Sequence, residues 1–465
     1  MQIATRILGA SFALFFLVST TICAGGTEKS LEQQIAMAAD RCGLEVSGFR
    51  EGRMSDLPIF DKYSRKIIFF IEQPVDHTDP AAGTFLQKVV LMHCGYENPT
   101  LLVTEGYNSR GEAPGYGNEL SDLFNTNIVE VEHRYFGSSI PFMQNDSSIT
   151  FDTLDWDYMT AKNEAADLHN VTRLLKEIYK GKWIASGISK GGQTAMFYTA
   201  YYPEDIDISV PYVGPVCYAK EDGRHEPFLA KRVGTSRDRE ILMEFQKEFL
   251  KRRSGIEPML EKLTKEKGYT YRVCLSKIYD FCVLELPFAF WQWGYTTDIV
   301  PDPAHATDQE MFDFLLKISG PEYFAEGSEQ DPFFVQAAKE LGYYGYDTRP
   351  FRGLLVTKNA ENYLDSLFLP KQQFKFDKYL YKDINRFLDT TSSKMLFIYG
   401  EYDPWSAVMP VGPVKNEKLK DKGRGRNTMF LFIDPKGSHR ARIGTLPEKM
   451  QKEAVETIRK WLEEE

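Results

Sequence analysis

Residues 184–202 read IASGISKGGQTAMFYTAYY, and the fold turns on them. The apolar Trp183, Ile184 and Ala185 lead into Gly187-Ile188-Ser189-Lys190-Gly191, and helix-forming and aromatic residues follow as far as Pro203. The pattern predicts strand, tight turn and helix, with a serine at the apex. In a G-x-S-x-G turn the serine takes up a strained backbone conformation, and the flanking glycines let strand and helix approach closely. That geometry lifts the hydroxyl above a sheet and aims the first N–H groups of the helix at any negative charge forming there. Five residues match a motif by chance fairly often, so the reading requires a base and an acid from elsewhere in the chain.

The whole sequence sets the bounds. At 465 residues it is long enough for two or three domains' worth of core, or for one large domain with an insertion. A charged share of 26% against 43% apolar is an ordinary globular balance, while 32 Phe and 25 Tyr point to large pockets or an aromatic-rich surface. The formal net charge of −10 excludes a nucleic-acid binder, because nothing would neutralise phosphates. Six cysteines stand at 23, 42, 94, 217, 274 and 282 without a C-x-x-C or a His/Cys cluster, so no metal site and no cofactor are expected. A bridge among Cys217, Cys274 and Cys282 is conceivable.

At the N-terminus, one positive charge within Met1–Arg6 precedes the apolar run Ile7–Val18 and the small or polar residues 19–26. This is the layout of a secretory signal peptide, residues 1–24, cut near Cys23 or Ala24. It implies export to the periplasm or the medium. A lipid anchor on Cys23 is the alternative, disfavoured by the bulky Ile22 before it. No other apolar run approaches about 18 residues, so stable membrane insertion of the mature chain is not expected.

Residues 27–60 read as a helical or irregular lead-in. Lys66–Glu72 and Leu86–His93 predict a hairpin, Leu101–Thr104 and Asn127–Tyr135 two more strands, Asp157–Lys180 a helix, and Ile206–Val216 a sixth strand. From about 220 to 390 the sequence turns charged and helical. Strands return at Lys394–Tyr399 and Thr428–Ile433, and an amphipathic helix spans Pro447–Leu462. A mostly parallel sheet interrupted by helices and then resumed describes an α/β-hydrolase with an inserted helical cap. Its core occupies residues 25–219 and 391–465, and the cap 220–390. Insertion is preferred to two independent domains because the last two strands and one helix could hardly bury a core alone.

A serine nucleophile needs a base for its proton and a carboxylate to hold that base in the right tautomer. In this fold the order is serine, acid, histidine, with the last two on loops after late strands. Of seven histidines, only His439 follows a late strand, in the glycine-containing loop Asp434–His439. Asp403 is preferred to Glu401 because the Asp-Pro-Trp turn carries it farther past the strand, and to Asp434, which shares the histidine's own loop. The candidate catalytic set is Ser189, Asp403 and His439. The oxyanion hole would use the Lys190 N–H and one from Gly106-Tyr107. The Lys190 side chain reads as a surface lysine with no catalytic role.

At this point the residues resemble the secreted bacterial prolyl tri/tetrapeptidyl aminopeptidases, serine peptidases of α/β-hydrolase fold, and more distantly the lysosomal prolylcarboxypeptidase and dipeptidyl-peptidase group. The likeness rests on Thr104-Glu105-Gly106-Tyr107, on EHRYFGSSIPF at 132–142, on the Ser189-Lys190-Gly191-Gly192 elbow, and on Asp403-Pro404-Trp405-Ser406 with Gly437-Ser438-His439. It implies peptide substrates, cleavage after proline, and release of short peptides from free N-termini. A prolyl ring calls for a rigid aromatic pocket, for which Trp405 and the cap residues Trp291 and Trp293 are candidate walls. A free amine calls for carboxylates, and Glu105, Glu132 and Glu285 are the candidates. Glu132 could equally pair internally with Arg134 or Arg110. An esterase or lipase would share the triad, and a non-catalytic binding protein of the same fold would be expected to have lost one of its members.

Overall fold

The computed structural model describes residues 29–144, 146 and 148–464. The leader expected over residues 1–24, Cys23 included, lies outside the described residues. Nine strands form one sheet: β1 (Val46–Glu51), β2 (Arg65–Pro74), β3 (Thr84–His93), β4 (Thr100–Thr104), β5 (Asn127–Val131), β6 (Trp183–Ile188), β7 (Ile208–Tyr212), β8 (Lys394–Gly400) and β9 (Met429–Asp434). Their spatial order is β1-β2-β3-β5-β4-β6-β7-β8-β9. β1, β2, β3 and β5 pair antiparallel in turn, whereas β5, β4, β6, β7, β8 and β9 run parallel. Every residue of β4, β5 and β7 is buried, as strands covered on both faces must be. Alternate residues serve opposite faces: Leu102, Val129 and Ala185 enter one core, while Leu101, Ile128 and Ile184 enter the other.

Between β7 and β8 come the cap helices Ser236–Lys251, Arg253–Lys267, Leu275–Gln292, Asp308–Ser319 and Asp331–Gln336. The helix Leu275–Gln292 is apolar nearly all round and sits at the centre of the cap, against Ser236–Lys251 and Asp308–Ser319. Its Phe281 and Trp291 belong to the same continuous core as Met196 and Trp405 beneath the cap. Cap and sheet therefore share one apolar interior, and the arrangement is an α/β-hydrolase with an inserted helical cap.

Several boundaries depart from the sequence reading. The lead-in contains a helix, Leu31–Cys42, and the edge strand β1, so the insertion follows the seventh strand rather than the sixth. β5 stops at Val131 because the chain then turns through positive φ at Tyr135 and Gly137. The helix expected from Asp157 begins at Ala161, where the Thr160 side chain accepts from Asn163 N. All five cysteines among the described residues are free, Cys217, Cys274 and Cys282 included, so no bridge forms among those three.

Candidate active site

β6 delivers Ser189 to the mouth of the sheet at φ 59°, ψ −119°, a conformation that non-glycine residues rarely adopt. It is held there from both sides. Ser189 N donates to Tyr212 O of β7 at 2.9 Å, and Thr104 Oγ1 of β4 donates to Ser186 O at 3.2 Å and Gly191 O at 2.8 Å. The glycines explain themselves here: a β-carbon on Gly187 or Gly191 would collide with Thr104 O. The helix Lys190–Tyr201 starts at once, so its first N–H groups lack partners within the helix and point past the serine.

Asp403 and His439 stand at the ends of neighbouring parallel strands. After β8 the chain turns so that Asp403 caps the short helix Pro404–Val408, Oδ1 accepting from Trp405 N at 3.1 Å. Oδ2 accepts from His439 Nδ1 at 2.8 Å. The bond fixes Nδ1 as the protonated nitrogen and leaves the Nε2 lone pair outward. Tyr402 N donates to Gly437 O at 2.8 Å, tying the two loops together. His439 N donates to Gln292 O at 3.0 Å, so the last residue of the central cap helix holds the histidine's backbone. Asp434, the rival acid, instead accepts from Thr445 Oγ1 at 2.7 Å.

Ser189 and His439 line one cavity of about 860 Å³ between sheet and cap. His439 Nε2 makes no hydrogen bond to Ser189 or to any other described residue. Contacts of this kind commonly tighten only when substrate is bound. Gly106 takes φ 81°, and its backbone lies so close to Lys190 and Gly191 that a β-carbon would strike Gly191 N. The Gly106-Tyr107 turn and the helix start are thus in contact. Tyr107 N makes no hydrogen bond among the described residues, while Tyr107 O accepts from His133 N at 3.1 Å.

The sequence matches the PS-10 peptidase S37 family over residues 56–462. The chain belongs to that family. It is 31% identical over 405 residues to the prolyl tri/tetrapeptidyl aminopeptidase of Streptomyces mobaraensis, covering 85% of this chain and 80% of that one. Over 164 residues it is 27% identical to the lysosomal Pro-X carboxypeptidase of Mus musculus, about a third (32%) of each chain. A solved lipase in its open form aligns with 85% of this chain and 100% of its own at 13% identity and a TM-score of 0.39. The S37 chain is a serine peptidase, and no helix among its described residues is long and apolar enough to cross a membrane.

The remaining candidates of this S37 peptidase fall into two groups. Glu105, Glu285, Trp405 and Trp293 line the cavity. Trp405 meets Phe288 at 5.2 Å, Tyr343 at 5.3 Å and Tyr344 at 5.5 Å between ring centroids, and its ring lies 6.4 Å from the His439 imidazole. Trp293 is 44% exposed and stands edge-on to His439 at 6.2 Å, from the other side. Glu285 accepts from Tyr344 Oη at 2.8 Å and Tyr346 Oη at 2.7 Å, and burial pushes its carboxyl up to about 7. Burial, then the nearby Glu130 charge, also raises Glu105 to about 7, against the pull of Arg110.

Glu132 and Trp291 do not line the cavity. Glu132 is buried and saturated: it pairs with Lys88 Nζ at 2.8 Å and accepts from Ser109 N, Ser138 N and the hydroxyls of Ser138 and Ser139. It pairs with neither of the expected arginines: Arg134 is held by Asp167 at 2.7 Å through both Nε and Nη2, and Arg110 Nε lies 3.8 Å from Glu105 Oε1. Trp291 turns the other way, edge-on to Tyr402 at 5.7 Å and against Gly234, and fastens the cap to the core. The Lys190 side chain is not at the surface either, being only 2% exposed. Residues the sequence reading passed over also face the cavity, among them Tyr343, Tyr344, Glu322 and Arg440. The adjacent pair of tyrosines was the one local signal for them.

Proposed function

We propose that this S37 peptidase hydrolyses peptide bonds by a Ser189–His439–Asp403 acyl-enzyme mechanism and releases short peptides from free N-termini after proline. His439 Nε2 takes the Ser189 proton as Oγ attacks the scissile carbonyl. The tetrahedral oxyanion is received by the N–H groups of Lys190 and Tyr107. His439 then passes the proton to the leaving amine, and water, deprotonated at the same nitrogen, hydrolyses the ester. Asp403 keeps the imidazole in its tautomer and offsets the charge it gains.

One observation carries the substrate reading: the aromatic wall that begins at His439 ends on a carboxylate. Trp405, Tyr343 and Tyr344 line the cavity as a rigid aromatic face suited to a prolyl ring, and Tyr344 Oη is bonded to Glu285. Glu285 lies seven residues before Gln292 on the central cap helix, about 10 Å at the rise of an α-helix. Gln292 in turn holds His439. Three extended residues span about the same distance, so Glu285 suits the amine of a chain whose third residue sits at Ser189. The 31% identity to a prolyl tri/tetrapeptidyl aminopeptidase supports the same reading. The leader pattern of residues 1–24 supports action outside the cytoplasm.

A peptide-library digest read by mass spectrometry, with Ser189→Ala as control, tests this reading. Expected are products three or four residues long ending in proline and released from unblocked N-termini, with none in the control. Internal cleavage, equal cleavage of N-acetylated peptides, or turnover of esters alone would refute it.

A further inference from the structure

A lysine stem ordinarily carries its ammonium out to water. That of Lys190 does the reverse. Its Nζ makes no hydrogen bond and no ion pair among the described residues. Its surroundings are aromatic: Nζ stands 5.7 Å from the ring centroid of Tyr107 and 5.4 Å from that of Phe136, within reach of a cation–π contact. The two rings meet edge to face at 5.7 Å, and Phe333 closes on Tyr107 at 5.7 Å. Tyr107 follows Gly106, which takes φ 81°, and among the described residues the Tyr107 backbone is anchored only through its carbonyl, which accepts from His133 N.

We propose that the Lys190 side chain is a positioning residue for the oxyanion turn: its enclosed ammonium grips the Tyr107 ring and so fixes the Tyr107 N–H beside the Lys190 N–H. The proposal rests on the acyl-enzyme reading above. One residue then serves the hole twice, directly through its backbone and indirectly through its side chain. Such placement matters because a donor accelerates the reaction only if it already points to where the oxyanion will form.

The groups around the ammonium come from several elements. Glu164 lies on the helix Ala161–Lys176 and Glu340 on the turn Ala337–Leu341, the latter bonded to Tyr379 and Gln336 and beside Lys339. His133 and Arg134 follow β5, Arg134 paired with Asp167 of the same helix as Glu164, and His133 Nδ1 is 3.4 Å from Glu164 Oε2. Burial brings Lys190 down to about 7, while the charges of Glu164 and Glu340 resist. The cation is therefore present below about pH 7 and is lost as pH rises through it.

The test is the pH dependence of kcat and KM on an Ala-Ala-Pro anilide for Lys190→Met, Lys190→Arg and Glu164→Gln, with Ser189→Ala alongside. Lys190→Met is expected to lower kcat by about 10- to 100-fold with KM within about twofold, and to lack the alkaline decline of kcat expected of the native enzyme above about pH 7. Lys190→Arg, which does not titrate in this range, should recover part of kcat and keep it to higher pH. Glu164→Gln should move the decline to lower pH. A folded Lys190→Met enzyme with native kcat, or with the native pH profile, overturns the proposal. Should that variant fail to fold, an alkaline limb unchanged in Lys190→Arg overturns it as well. Turnover by Ser189→Ala would instead sink the acyl-enzyme reading, so the two failures are told apart.

Discussion

His439 Nδ1 lies 2.8 Å from Asp403 Oδ2, and the carboxylate is sealed from solvent. An aspartate so enclosed acts on one ring nitrogen only. Asp403→Asn keeps the shape but offers an N–H where Nδ1 carries its proton, which favours the wrong tautomer. We expect kcat to fall about 10⁴-fold with little change in KM, read by burst and steady-state kinetics on a prolyl anilide. Thermal unfolding should barely move.

The cavity carboxylates give a second expectation. Glu285 and Glu105 are each raised to about 7, so both are largely neutral at pH 6 and charged at pH 8. A carboxylate attracts an ammonium only while both are charged, so KM for peptides with a free amine should fall as pH rises from 6 to about 7.5, before the amine itself deprotonates at about pH 8. N-acetylated peptides should show no such trend. Glu285→Gln should abolish it and raise KM for free-amine peptides about tenfold or more, the cost of a lost charge-assisted contact.

Glu132 belongs to the framework. Glu132→Ala would leave Lys88 with Glu112 alone, at 3.1 Å, and strand three serines, at a cost of up to about 3 kcal/mol, the low end for breaking a buried ion pair from one side. Denaturant unfolding should register that loss, while KM measured on the folded fraction stays as in the native enzyme. A raised KM for free-amine peptides alone, with stability unchanged, would return Glu132 to the substrate site.

Lys190 also bears on stability. Its folded value of about 7 lies below the ordinary 10.5, so between those limits the unfolded chain binds more protons at this amine than the folded one. The contribution of Lys190 to stability therefore rises with pH across that window. Lys190→Met removes the penalty, so it should unfold at a higher temperature than the native enzyme at pH 6, with the gap narrowing towards pH 9. Scanning calorimetry at the two pH values checks the sign.

How far the sequence announced all this depends on the kind of signal. The elbow was legible because steric demands leave a literal mark, glycines at two fixed offsets from Ser189. Asp403 and His439 were legible through strand context, each lying just past an apolar run. β1 left no such mark: only two of its six positions are even half-buried, it bends at Gly48, and its register slips between Ser47 and Arg50. The cavity walls were the hardest to read. Trp291 and Trp293 are two residues apart on the same stretch, yet one faces the core and the other the cavity, and only the packing of the cap against the sheet decides between them. For the same reason Glu132 and Glu285 looked alike as isolated acids. One is enclosed by Lys88 and three serines, the other by tyrosines at the cavity wall.

On the acyl-enzyme proposal, the backbone bond from His439 to Gln292 ties the cap to the proposed base. A swing of the cap wide enough to admit a folded protein would have to break that bond, and the imidazole would lose its footing. On that reading, slender unstructured chains would meet an armed serine beneath a shut cap, and a bulky neighbour that prised it open would meet a disarmed one.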